Sequence, residues 1–225
     1  MSCVDRAMAR KLEGAAGEAP EVEGGDFVGM GEDEWEGVDG IADEAFLEGN
    51  WREYEWPKLD EERLAGMCYT SGTTGNPKGV EYTQKMLWSH TMASLTPQGI
   101  PMDDSDVVMP VVPMFHVNAW GMPFTATAAG SKHVYPGPSP DPADIAHLIE
   151  EEGVTVTAGV PTVWLGLMDY AKDNDLDLSK LDTVIVGGSA APESMIRWFD
   201  DRDVEVLHAW GMTEMSPIGS AAHLK

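Results

Sequence analysis

Cysteine and positive charge are both scarce in this chain. Of 225 residues, 2 are cysteine: Cys3 and Cys68. Two thiols do not build a disulfide scaffold, and no Cys-x-x-Cys pair or Cys/His cluster with zinc spacing accompanies them. Cys68, between Met67 and Tyr69 in an apolar stretch, reads as a packed core thiol. Lys and Arg together number 14 against 39 Asp and Glu, a formal net charge of -25 with a pI near 4.3. A surface this acidic repels phosphodiester backbones and anionic lipid, which argues against nucleic-acid and membrane-surface roles. Long apolar runs are lacking too. The longest candidate, Val107 to Phe115, is broken by Pro110 and Pro113, so no membrane span is expected. The opening MSCVDRAMARKLEG lacks the hydrophobic stretch of a secretory signal. The expected location is the cytoplasm.

What remains is a globular composition, with 43% hydrophobic and 24% charged residues. The length suits one large α/β domain and a sizeable core. The acidity has two possible origins, an acidic functional tail or a whole surface adapted to high salt. Residues 1–66 hold 19 acidic and 6 basic residues, a net of -13, and residues 67–225 hold 20 and 8, a net of -12. Acid that persists along the whole chain favours the salt-adapted surface.

Two segments follow from the pattern. Residues 1–66 read as a helical opening and irregular acidic stretches punctuated by glycine, ending in the aromatic cluster Trp51, Tyr54 and Trp56. From residue 67 strands and helices alternate. Strands are expected at 67–70, 107–109, 132–135, 155–159, 183–186 and 204–208. Helices are expected over 84–95 with Thr83 as N-cap, over 116–128, over 142–152 opened by Asp141-Pro142, over 161–172 and over 192–200. Repeated β-α-β alternation predicts a mostly parallel sheet flanked by helices. Met86, His90 and Leu95, like Trp164 and Met168, read as packing positions on helix faces.

The stretch Tyr69-Thr70-Ser71-Gly72-Thr73-Thr74-Gly75-Asn76-Pro77-Lys78-Gly79 carries the clearest chemistry. Its glycines let backbone N–H groups turn toward an anion. Thr70, Ser71, Thr73 and Thr74 add hydroxyl donors and oxygen ligands. Lys78 adds a mobile positive charge. The order is not that of a Walker A loop, because Pro77 precedes Lys78 and Gly79 follows it. Read on its residues alone, it is a phosphate cradle. Gly187-Gly188 closes an expected strand, where a parallel sheet presents ligands. Without further context it is equally a tight strand-to-helix turn. Glu214 alone would be a solvated turn residue; beside a phosphate loop it suits Mg²⁺.

This loop resembles the signature of the acyl-adenylate-forming (AMP-binding) superfamily. Pro113-Met114-Phe115-His116-Val117-Asn118-Ala119-Trp120-Gly121 resembles its aromatic gate segment. Gly187-Gly188-Ser189-Ala190-Ala191-Pro192 is similar to its adenine-side loop, and His208-Ala209-Trp210-Gly211-Met212-Thr213-Glu214 to its adenine, phosphate and magnesium segment. The wording of these motifs is nearest to that of medium- and long-chain fatty-acyl-CoA ligases. The resemblance implies the large N-terminal α/β domain of such an enzyme. It implies ATP, Mg²⁺ and coenzyme A as cofactor and co-substrates, and a carboxylic acid as the group activated. Thr70, Ser71, Gly72, Thr73, Thr74, Gly75 and Lys78 would hold the β- and γ-phosphates. Gly188, Ser189 and Ala190 would lie along adenine, with His208, Ala209, Trp210 and Gly211 completing the nucleotide site. Val117 and Trp120 would stand near nucleotide or acyl chain, with further apolar wall from residues 159–164. Lys78, Thr213 and Glu214 would be the catalytic residues, Glu214 and Thr70 the magnesium ligands. His116 is not expected to transfer a proton.

Several family parts have no counterpart here: the ribose-gripping aspartate, the hinge and the lysine-bearing C-terminal domain. The expectation is therefore a central piece of a ligase, with residues 1–66 as a lead-in segment and 67–225 as a partial AMP-binding domain, weakly active or inactive alone. The alternatives are a non-catalytic nucleotide- or acyl-binding remnant, or one half of a split ligase served by a complementary chain. An unrelated α/β phosphotransferase is a third. Exposed apolar edges of an incomplete sheet predict poor solubility or low stability at low salt.

Overall fold

The computed structural model describes residues 2–4, 27–29, 40–42, 57–70, 77–137 and 139–223. Two units divide the chain, Met1–Lys58 and Leu59–Lys225. In the first, β1 (Ser2–Val4), β2 (Phe27–Gly29) and β3 (Gly40–Ala42) make a parallel sheet in that order. Where the sequence reads as a helical opening, Ser2–Val4 is a strand; the rest of that opening lies outside the described residues. Cys3 pairs with Val28 and Val28 with Ile41, residue types that suit a pleated surface better than a helix start. The aromatic cluster at 51, 54 and 56 lies outside the described residues.

The second unit opens with an antiparallel hairpin, β4 (Leu64–Thr70) and β5 (Lys78–Thr83), in which Thr70 pairs with Lys78. β4 is longer than expected and mostly exposed. Only Cys68 of its residues is buried, because the hairpin forms its own two-stranded sheet instead of a strand inside the parallel one. Thr83 caps α1 (Gln84–Ser94): its hydroxyl accepts from the Met86 N–H at 3.2 Å. β6 (Val107–Pro110) follows. The helix expected over 116–128 starts late. Val117, Asn118, Ala119 and Trp120 form one left-handed turn, with φ of 53, 53, 49 and 58°. Gly121, at φ 73°, releases the chain into α2 (Met122–Ala129). β7 shrinks to Lys132–His133.

The rest follows the alternation closely. Asp141 caps α3 (Pro142–Glu152) by accepting from the Ala143 and Asp144 N–H groups at 2.8 and 2.9 Å, and Gly153 ends it in the left-handed region. β8 (Val156–Gly159), α4 (Pro161–Asp173), β9 (Thr183–Val186), α5 (Glu193–Asp200) and β10 (Glu205–Gly211) then alternate. β11 (Ile218–Ala222) was not anticipated; its Gly-Ser-Ala-Ala composition carries no strand signal, and pairing with β10 creates it.

The sheet runs β11-β10-β9-β8-β6-β7, parallel throughout except for β11. Period-two alternation gives it two buried faces. Met109, Val184, Val186 and Val206 join Ile145, Ile149, Trp164, Leu167, Met195 and Phe199 under α3, α4 and α5. Val108, Ile185 and Leu207 point the other way and meet Met122 and Ala126 of α2. Trp164 is wholly buried, packed edge-on to Phe199, and its indole N–H donates to the Gly159 carbonyl at 3.2 Å. A third small core of Cys68, Tyr82 and Val117 lies beneath the hairpin.

Candidate nucleotide and acyl site

The parallel strands end where a ligand site belongs. β9 runs from Val186 into Gly187-Gly188, and β10 ends at Gly211. Close approach requires glycine at Gly211 and leaves little space at Gly187. A Cβ on Gly187 would stand 3.0 Å from the Trp120 ring, and one on Gly211 would overlap the Pro217 carbonyl. Gly188, at φ 79°, turns the chain off the sheet.

A cavity of about 760 Å³ opens over these strand ends. Thr70 and Lys78 enter from the hairpin, Thr213 and Glu214 from the short 3₁₀ turn Thr213–Met215 that follows β10. Cross-strand pairing sets Thr70 beside Lys78, the described residues that flank 71–76 being Thr70 and Pro77. Tyr82 ties the two sides together. Its phenol donates to the Thr213 carbonyl at 2.5 Å across 131 residues of chain. Burial, followed by the nearby Cys68 and Glu214, pushes the Tyr82 pKa up to about 12, so the phenol keeps the proton it donates.

The apolar walls come from Val117, Trp120, Met122 and Ile185. Phe115, 75% exposed, and Trp210, 58% exposed, stand at the rim, flat surfaces suited to a ring or chain. The left-handed turn sets Val117 and Trp120. Val117 is buried against Cys68 and Tyr82, and the Cys68 thiol points to Asn118 Oδ1 at 3.8 Å.

Of the residues singled out in the sequence, Thr70, Lys78, Val117, Trp120, Gly188, Ala209, Trp210, Gly211, Thr213 and Glu214 share this one cavity. Ser71, Gly72, Thr73, Thr74 and Gly75 lie outside the described residues. Ser189, Ala190 and His208 sit beside the cavity and do not line it; a His208 ring nitrogen lies 3.3 Å from the Ser189 carbonyl and braces that loop. Trp164 belongs to the core, so the wall expected from residues 159–164 is not at this cavity. Sequence reasoning passed over Tyr82. Its alternation with Val80 on β5 marked an inward position, but nothing local marked its partner. Among the described residues no group of three His, Cys, Asp or Glu side chains could hold a metal alone. One carboxylate, Glu214, and the Thr70 hydroxyl fit an ion that takes most of its oxygens from a phosphorylated ligand and water, which is the habit of Mg²⁺.

Residues 3–225 match the AMP-binding enzyme family. The chain is 51% identical over 169 residues to a medium-chain-fatty-acid–CoA ligase of Ectopseudomonas oleovorans, covering 75% of this chain and 31% of that one. It is 48% identical over 174 residues to a long-chain-fatty-acid–CoA ligase of Thermus thermophilus, covering 77% and 32%. It thus spans about a third of the length of these relatives. In fold it is similar to the crystal structure of a long-chain-fatty-acid–CoA ligase from Archaeoglobus fulgidus, with a TM-score of 0.79 at 21% identity over 97% of this chain and 44% of that one. Among the described residues, no helix is long and apolar enough to cross a membrane.

Proposed function

The chain belongs to the AMP-binding enzyme family, and from that premise we propose that it binds ATP in the cavity between the hairpin and β10 and activates a carboxylic acid, a fatty acid by its relatives, for transfer to coenzyme A. The observation that carries this reading is the convergence of Thr70, Lys78, Thr213 and Glu214 on one cavity from two distant stretches of chain.

In the activation step a carboxylate oxygen attacks the ATP α-phosphorus, and the bond to pyrophosphate breaks. The thiol of coenzyme A then attacks the acyl carbon and AMP leaves. Such a displacement is accelerated mainly by alignment and by offsetting charge. Lys78 supplies a cation just after residues 71–76, whose hydroxyl and N–H groups would complete the phosphate cradle. Thr213 would donate to a phosphate oxygen. Thr70 and Glu214 would hold Mg²⁺, which when bound offsets polyphosphate charge. Gly188 and Ala209 would lie along adenine, with Ser189, Ala190 and His208 bracing its edge. Val117 and Trp120 would face the acyl chain.

The chain spans about a third of the length of these relatives, and a second reading is that residues 67–225 form a partial AMP-binding domain that binds nucleotide without turning over alone. Carboxylate-dependent exchange of labelled pyrophosphate into ATP separates the two. Exchange with a medium-chain fatty acid, lost in Glu214→Gln and Lys78→Ala, is the result expected for catalysis by this chain. ATP binding without exchange supports the partial domain. No ATP binding under either condition overturns both.

A further inference from the structure

The turn that carries Thr213 and Glu214 is short and closed largely on itself. The Met212 N–H donates to the Pro217 carbonyl at 3.0 Å, the Met215 N–H to the Met212 carbonyl at 2.9 Å and the Ser216 N–H to the Thr213 carbonyl at 3.4 Å. Such local bonds shape the turn without tying it to the hairpin. Among the described residues, the hydrogen bond that joins residues 212–217 to another part of the chain is the one from the Tyr82 phenol to the Thr213 carbonyl.

Tyr82 is suited to hold that turn at a fixed distance. It is 1% exposed, and it packs with Cys68 of β4 and Val117 of the left-handed turn. It follows Lys78 by four positions on β5, so period-two alternation sets the two side chains on one face of the strand. One strand thus carries the cation of the cavity and, further along, the anchor of the turn that brings Glu214 to the same cavity. A phenylalanine would fill this small core with the same ring and leave no phenol to satisfy. What the hydroxyl adds is the tie to Thr213.

We propose that Tyr82 is a positioning residue, whose phenol fixes the Thr213–Met215 turn so that the Glu214 carboxylate faces the polyphosphate that Lys78 binds. This rests on the nucleotide-binding reading above. Tyr82 lies beneath the cavity and does not line it, so it acts through Glu214 and touches no ligand.

The test uses the full chain and titration calorimetry with MgATP. Tyr82→Phe should weaken binding about fivefold to tenfold, the effect of one net hydrogen bond. In a Glu214→Gln background the same change should weaken it by less than about twofold, because the carboxylate that Tyr82 positions is already gone. A merely structural role would give the same loss in both backgrounds. If Tyr82→Phe does not fold, the wild-type chain decides. The ¹³C resonance of the Tyr82 ring carbon that bears the hydroxyl should shift when MgATP binds, and shift less in Glu214→Gln at saturation. The inference is overturned if Tyr82→Phe binds MgATP as the wild type does, if its loss is equal in the two backgrounds, or if the resonance is unmoved. Each of those results, with MgATP still bound by the wild type, leaves the nucleotide-binding reading standing. Failure of the wild type to bind MgATP removes both.

Discussion

A methyl group on Gly211 would collide with the Pro217 carbonyl, and backbone cannot swing aside as a side chain can. Gly211→Ala should therefore lower stability by about 1–3 kcal/mol, the usual penalty of overpacking, read from the urea midpoint. Lys78→Ala and Glu214→Gln should each weaken MgATP binding by about tenfold or more, the effect of losing a charge-assisted contact, while leaving the urea midpoint nearly unchanged because both side chains are exposed. Tyr82 makes a pH prediction. Its pKa rises from 10.0 to about 12 on folding, so the stability it confers is complete below pH 10 and is lost as pH climbs through 12. Tyr82→Phe should remove that part of the alkaline loss, which comparison of urea midpoints across this range would detect. Of the residues that line the cavity, Thr70, Lys78, Thr213 and Glu214 were legible as sequence, since each carries chemistry of its own. Tyr82 was not, since its importance lies in a partner 131 residues away.

At the scale of elements, local signals and tertiary signals divide the outcome. The helices α1, α3, α4 and α5 were readable to within a residue or two at each end, because Thr83, Asp141, Pro142 and Pro161 act on the turn beside them. The turn at Val117–Trp120 was not. Left-handed backbone is unfavourable for any residue with a Cβ, by roughly 1–2 kcal/mol each, and no local pattern predicts four in a row. Burial of Val117 and Ala119 and the fixed position of Gly121 hold it. Asn118, the residue of the four most tolerant of this region, gives the handle. Asn118→Val should destabilise the protein by about 1–2 kcal/mol and displace Trp120, seen as a change in tryptophan fluorescence. Asn118→Gly should be close to neutral in stability. β11 was likewise invisible, being made by its pairing with β10.

For the whole molecule the dominant quantity is a net charge of -25. Dense like charge opposes compaction, and salt screens it over a Debye length of about 10 Å at 0.1 M. The thermal midpoint should rise steadily between low salt and molar KCl. A midpoint independent of salt would contradict a surface governed by self-repulsion. Apolar side chains such as Tyr69, Trp88, Phe115 and Trp210 stay exposed, and salt should also raise any tendency to associate through them. The parallel sheet and its two buried faces were foreshadowed by β-α-β alternation. The pattern divides the chain between residues 66 and 67, and the two compact units meet between residues 58 and 59.

The central claim is that the hairpin and the turn after β10 address the same triphosphate. Paramagnetic broadening by Mn²⁺·ATP, read on the backbone amide signals of the ¹⁵N-labelled chain, tests it directly. The account predicts strong broadening at Thr70, Lys78, Thr213 and Glu214, with Lys132 and His133 at the opposite edge of the sheet left sharp. Broadening confined to one of the two elements, or spread evenly over the molecule, would contradict it.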